Sequence, residues 1–428
     1  MKKWGRRSLL LAMVSLVLAL SACASKETPA ASEVKPIPTE PFELSIYING
    51  AMTDDGFKSL MADPIQKKYS NITVKMLKGN LEEMVTGGTI PDVVYLNPFA
   101  NMQVVRNMNM MTDLNPLIKK FNVDLSRFEP DIIRQIQAIG TNGEMLAIPF
   151  SINTYAFYYN KDIFDKFGVE YPKNGMTWPQ VIELARKVTR NDGGTQYRGL
   201  DINRIHNLAS PYSLPLVDPK TNKAIVSDKW KDVFALAMQI YDIPGNKPAK
   251  SAQSQLVIGD PKSNLAMSPG YTESINRLLD AGKTSGLKWG VVQDPSFTDL
   301  PNVNRQLVVG SFLFAPGKRL ETTFQAVVSA LLSDEAQLEN SKNLSVSPLK
   351  NPEFVKHFAE NIPELQGQDL SGIFLGKYAD PVPSTPYDSL VNDQILSAFD
   401  KVFKGTDINT ALSAAKEAAD AAIAAQVK

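Results

Sequence analysis

From Phe42 the chain reads FELSIYI, apolar and polar side chains alternating until Asn49-Gly50; a period of two predicts a half-buried strand ended by a turn. Residues 54–69 change to the helical period, with Phe57, Leu60, Met61, Ile65 and Tyr69 on one face and Pro64 set to break or restart the helix. A strand over 72–77, a short helix over 81–85 and a strand over 90–96 follow. Helices are predicted over 102–109, 116–121 and 130–138, the last turning Ile132, Ile133 and Ile136 to a core. Residues 145–148 are an apolar strand-like run interrupted at Pro149, preceded by the turn signal Thr141-Asn142-Gly143. A short helix over 163–167 stops at Gly168. Thr177-Trp178-Pro179-Gln180 is a capping box that opens a helix to Val188, in which Trp178 reads as packing. An amphipathic helix over 230–242, a strand over 289–292, an apolar run over 307–309 ending at Gly310-Ser311, a helix over 320–332 and an alanine-rich helix over 409–427 complete the pattern. Strands alternating with helices predict an α/β fold with mostly parallel sheets.

The first 22 residues fall outside that pattern. Lys2, Lys3, Arg6 and Arg7 precede an apolar run over 9–20, too short for an ordinary membrane span, and Leu20-Ser21-Ala22-Cys23 follows. This order predicts a cleaved signal peptide. Arg6-Arg7 also suits twin-arginine export, although the leucine-rich run suits general secretion better. Cys23 is the only cysteine, which excludes a disulfide within one chain. Residues 24–41, rich in Ala, Ser, Pro, Glu and Lys, cannot bury a core and are expected to be a disordered tether.

The chain has 45 basic and 45 acidic residues; four of the basic ones and none of the acidic ones lie in the leader, which leaves 41 against 45. A slightly acidic balance excludes a broad nucleic-acid face. About 385 residues after the tether exceed one compact core and predict two domains.

The stretch over 144–169, EMLAIPFSINTYAFYYNKDIFDKFGV, places Tyr155, Tyr158 and Tyr159 just after a strand. Aromatic residues favour strands on their own account, so these are either ordinary strand residues or a crossover that turns one tyrosine to a cleft. The loops after strands 42–48 and 90–96 lie at carboxyl strand ends, where open α/β sheets bind ligands; this nominates Asn49, Asp54 and Asn97, the last equally a turn former before Pro98.

Ala147-Ile148-Pro149 with Tyr158-Tyr159-Asn160-Lys161-Asp162 resembles family 1 of the extracellular solute-binding proteins, the maltose-binding-protein-like ligand-capture components of ABC importers. The likeness extends along nearly the whole chain after the tether. It includes residues 87–94, GGTIPDVV; the T-W-P start at Thr177; Leu265-Ala266-Met267-Ser268-Pro269-Gly270-Tyr271; and the Ser333-Asp334-Glu335-Ala336-Gln337 turn. Leu20-Ser21-Ala22-Cys23 resembles a bacterial lipobox, which implies a lipid on Cys23 and a membrane anchor at the outer face. The resemblance implies two lobes, residues 42–150 with 298–332 and residues 151–297 with 333–428, joined by a hinge of three crossings. It implies a carbohydrate ligand between the lobes, no cofactor, ABC permease subunits as partners, and action as a monomer. The ligand residues so expected are Tyr155 and Tyr271 on opposite walls, with Gly270, Asn153, His206 and Ser311 beside the three strand-end residues; Tyr271 equally suits the start of a helix running to Leu279, and a lone histidine such as His206 equally suits a structural role. The family commonly has a glycine pair where this chain has Gly310-Ser311.

Two histidines and one cysteine leave little for zinc sites or histidine triads, and neither G-x-S-x-G nor a P-loop occurs. S-x-x-K recurs at Ser32, Ser285, Ser347 and Ser413, in such unrelated places that it carries no signal. The acid pair Asp54-Asp55 is compatible with glycosidase chemistry only at a separation the sequence does not set. A polysaccharide-acting lipoprotein and a sensory lipoprotein that binds a non-sugar solute or a partner protein stand as alternatives.

Overall fold

The computed structural model describes residues 37, 39–50, 52–96, 105, 108–140, 143–251, 258, 264–383 and 385–426. Two five-stranded sheets organise it, and both lie within the unit Pro38–Lys428. The strands are β1 (Phe42–Ile48), β2 (Ile72–Leu77), β3 (Val93–Leu96), β4 (Ile148–Asn153), β5 (Tyr155–Asn160), β6 (Arg190–Asp192), β7 (Thr195–Leu200), β8 (Leu265–Tyr271), β9 (Trp289–Val292) and β10 (Val308–Phe314). The first sheet has the order β2-β1-β3-β10-β4 and the second β9-β5-β8-β7-β6. Alternation places Leu44, Ile46 and Ile48 of β1 in the first core, where Phe150 and Phe312 pack with ring centroids 4.9 Å apart. The second core gathers Phe157, Trp178 and Phe234, and the helices Asp388–Phe403 and Ile408–Gln426 close it through Phe399 and Leu412. Trp178 is thus a packing residue, as its place in the capping box predicts.

The two lobes and the α/β class agree with expectation, whereas the sheets are mixed rather than mostly parallel. β1 is parallel to β2 and β3, but β10 runs antiparallel to β3 and β4. In the second sheet only β7 and β8 are parallel. β10 enters the first sheet, and β5 the second, from the other lobe, so no helical crossover constrains their direction, and β6 and β7 form a tight hairpin.

The chain crosses between the sheets three times. It passes from β4 to β5 through Thr154 alone; it returns between β9 and β10; and it crosses again between Leu349, bridged to Phe128, and Gln368, which donates to the Trp289 carbonyl at 3.3 Å. Val303–Asn304 pairs in parallel with Lys377–Tyr378, joining the second and third connections.

Two expected lobe boundaries move. β4 stays in the first sheet to Asn153, which is in register with Val308, so the division follows residue 153 and not Phe150. Residues 334–349, expected in the second lobe, lie on the first: Ile152 N–H donates to Val346 O at 2.9 Å, and the Gln337 amide donates to Phe150 O at 3.3 Å. β4 is an edge strand, and this segment covers its unpaired backbone groups.

The edge position also explains Pro149, which lies inside β4 rather than ending it. The missing N–H of a proline is tolerated at an edge, and the β4–β10 register slips beside it, between Gly310 and Ser311. A Cβ at Gly310 would clash with the Tyr95 hydroxyl, which hydrogen-bonds Ser151 Oγ at 2.8 Å. Pro64 restarts its helix rather than breaking it, in the first turn of Asp63–Lys68. The turn before it, Lys58–Ala62, is π-helical, which shifts the hydrogen-bond register past the missing donor.

Candidate ligand-binding cleft

Thr154 delivers Tyr155 to the start of β5, in antiparallel register with Tyr271 at the end of β8. Register partners share a sheet face, so the two rings meet, centroids 4.1 Å apart and planes inclined by 44°. They stand on one wall of the second lobe, not on opposite walls as expected. Tyr158 reinforces the corner by donating its hydroxyl to Tyr271 O at 3.1 Å. Tyr155 is 2% exposed, whereas Tyr271 is half-buried. Asn207, on the short helix Ile205–Ala209, donates its amide to the Tyr155 hydroxyl.

Behind Tyr155 lies a buried charge pair. Arg305, from the second crossing, places its guanidinium carbon 4.4 Å from the Tyr155 ring centroid and its Nε 2.7 Å from Asp294 Oδ2. Both side chains of the pair are 1% exposed. Burial pushes the Asp294 carboxyl up, and Arg305 offsets part of that rise. Asp294 follows β9 of the second lobe and Arg305 precedes β10 of the first, so the pair clasps the hinge and orients Tyr155.

A cavity of about 490 Å³ opens beside these rings. The first lobe lines it with Gln135 and Val308, and Gln306 and Leu307 add to it from the crossing. The second lobe contributes Tyr155, Tyr271, His206, Asn207 and Trp230, with Asp388 and Asn392 from a C-terminal helix. His206 is pushed down to about 4, chiefly by burial and further by Arg204 and Arg305, so the imidazole is neutral at neutral pH. Among the described residues, His206 Nδ1 and Trp230 Nε1 are buried without a partner. Burial also raises the Tyr155 and Tyr271 phenols, which remain neutral donors. The cleft therefore offers ring faces and uncharged hydrogen-bonding groups, with one carboxylate, Asp388, whose oxygens accept from the Thr385 N–H and hydroxyl.

Of the residues singled out in the sequence, the structure brings Tyr155, Tyr271 and His206 together. The Asn153 side chain is used by Thr272 Oγ1, at 2.8 Å, and by the Glu273 N–H, at 3.3 Å, and so ties the hinge to the second lobe. Gly270 is a packing position: a Cβ there would lie 3.0 Å from Ser274 Oγ and 3.3 Å from the Tyr158 ring. Ser311 is fully buried inside the first sheet and cannot reach a ligand. Asn49 is exposed, its N–H bonded to Tyr95 O, and Asp54 is an exposed partner of Lys78; neither lines the cavity. Asn97 and Cys23 lie outside the described residues. Sequence reasoning missed Arg305, Asp294, Asn207 and Gln306. The only available signal was that Asn207 adjoins His206; nothing local links Asp294 to Arg305. Trp230 was read only as the start of a helix.

Among the described residues no helix is long and apolar enough to cross a membrane, and no cluster of His, Cys, Asp or Glu would hold a metal ion.

This two-lobed arrangement around a cleft defines a class of ligand-capture proteins, and the comparisons agree. Residues 50–337, more than half of the chain, match the bacterial extracellular solute-binding protein family, and the chain belongs to it. The similar curated proteins match over short segments. The sn-glycerol-3-phosphate-binding periplasmic protein UgpB of Pectobacterium atrosepticum is 30% identical over 138 residues, 30% of this chain and 31% of that protein. The mannitol-binding protein of Pseudomonas aeruginosa is 27% identical over 119 residues, 25% and 27% of the two chains. The chain thus spans under a third of the length of these relatives. Among solved structures, a sugar transporter of Rhizobium etli in an open conformation aligns with a TM-score of 0.72 at 18% identity, covering 88% of this chain and 99% of that one. An ABC substrate-binding protein of Listeria monocytogenes in complex with cycloalternan aligns with a TM-score of 0.71 at 18% identity, covering 90% and 100%. At such identity the likeness is one of fold.

Proposed function

We propose that the protein captures a carbohydrate, an oligosaccharide or glycoside, between its two lobes and delivers it to the permease of an ABC importer. The observation that carries this reading is the Tyr155–Tyr271 pair beside a cavity lined from both sides of the hinge. An aromatic face covers the C–H face of a sugar ring, while groups such as Asn207, His206 and Gln306 suit hydroxyls. A ligand held by both lobes favours the closed arrangement, because only there does it meet both walls, and that shape is what a permease would recognise. The similar folds of a sugar transporter and of a protein that holds cycloalternan support the ligand class. The lobes are proposed as residues 42–153 with 308–349 and residues 155–292 with 363–376 and 388–426. A lipid on Cys23 is proposed to hold the protein at the outer face of the membrane as a monomer without catalytic turnover.

A thermal-shift screen tests the ligand class. The panel should hold neutral oligosaccharides, mannitol and sn-glycerol 3-phosphate. A carbohydrate at about 100 times its dissociation constant adds about 2.7 kcal/mol to stability. The proposal expects such a shift from an oligosaccharide or glycoside; a shift from a non-carbohydrate alone would overturn it.

A further inference from the structure

We propose that the cleft has an annex for an anionic substituent of its sugar, a carboxylate or a phosphate, gripped by Arg204 and Arg277. The proposal rests on the carbohydrate reading above. A second, smaller cavity of about 60 Å³ shares His206, Asn207 and Tyr271 with the main one, so a ring seated against Tyr271 has a substituent's reach into it. Its remaining lining is Asn203, Arg204, Glu273, Ser274 and Arg277.

Three observations point to an anion. Arg204 is half-buried, yet among the described residues its guanidinium pairs with no carboxylate and donates no hydrogen bond. A partly desolvated guanidinium with no partner is costly, and its planar fork matches the paired oxygens of a carboxylate or phosphate. Asn203 is 7% exposed and its Oδ1 has no partner among the described residues, while its Nδ2 lies a long 3.5 Å from Pro269 O. The amide is therefore weakly committed and available to a guest. Finally, the twelve-residue helix Ser274–Ser285 begins at the annex with Ser274 and presents Arg277 from its first turns, so its positive end favours negative charge. Glu273 is the one carboxylate in the lining among the described residues.

Calorimetric titration of the full chain tests this with matched probes: neutral oligosaccharides, the same sugars carrying a uronate carboxylate, and sugar phosphates. The acidic member should bind at least about ten-fold tighter than its neutral parent, the scale of one charge-assisted contact. In Arg204→Gln that preference should disappear while affinity for the neutral parent and the melting temperature stay unchanged; Arg204→Lys should recover part of it. Equal binding of neutral and acidic sugars, or a preference unaltered in Arg204→Gln, overturns the annex and leaves the carbohydrate reading in place. If no sugar binds, neutral or acidic, both readings fall.

Discussion

Replacing Arg305 by methionine probes the clasp at the hinge. The guanidinium and the Asp294 carboxylate are each 1% exposed and lie 2.7 Å apart, so deleting one leaves the other buried without a counter-charge. Such a deletion costs about 3–5 kcal/mol, whereas replacing both partners by apolar side chains is often neutral. The variant should also acquire a pH dependence of defined sign. Burial already raises Asp294, and without Arg305 its folded-state value rises further above the unfolded value of ~3.9. A group raised on folding contributes stability in full below its unfolded value and loses it as pH rises through the folded one. The deficit against the parent protein is therefore expected to be larger at neutral pH and to shrink on acidification. Urea unfolding followed by tryptophan fluorescence is a suitable assay, since Trp178 lies 5.9 Å from the guanidinium carbon. Arg305→Met/Asp294→Leu should recover most of the loss. A single-variant deficit below about 1 kcal/mol, independent of pH, or a double variant no better than the single, would refute the reasoning.

Three further outcomes follow from the same geometry. Tyr155→Ala should destabilise the ligand-free protein by about 3–5 kcal/mol, because the ring is 2% exposed between Tyr271 and Arg305; a loss under about 1 kcal/mol in urea unfolding would move Tyr155 out of the packed wall. His206, held down at about 4, binds its proton less readily folded than unfolded, so its contribution is present above ~6.5 and is lost as pH falls toward 4, up to roughly 3 kcal/mol; His206→Gln should flatten that part of the stability profile, and an unchanged profile would assign it to other groups. Cys23→Ser should free the protein from washed membranes, and retention there would require a different anchor.

Much of the fold was legible because its signals are local. Gly168 adopts the left-handed conformation that ends the helix Lys161–Phe167, and Thr177 and Gln180 form the predicted capping box. β9 occupies the apolar run that announced it. The misplacements arose where tertiary contacts decide. Pro149 reads as a strand breaker until β4 proves to be an edge strand, and Ser311 reads as a strand end until β10 continues through it to Phe314. Residues 334–349 side with the first lobe because β4 offers them an open edge, a fact no periodicity encodes. In the site, the sequence nominated both tyrosines and His206, but facing walls could not be distinguished from adjacent strands without the β5–β8 register. The Asp294–Arg305 pair was invisible for the same reason: two charged residues near strand ends look solvated until the hinge closes over them.

The account turns on a carbohydrate resting against Tyr271, the half-buried ring of the pair. Calorimetric titration of the carbohydrate panel into the parent protein and into Tyr271→Ala tests this most directly, with thermal unfolding of both ligand-free proteins alongside. Loss of ring stacking and of buried ring area should weaken binding by about 1–3 kcal/mol, roughly ten- to a hundred-fold, while the ligand-free melting temperature changes little. Unchanged affinity for every bound sugar, together with a sharp fall in ligand-free stability, would place Tyr271 in the core and contradict a sugar site on this wall.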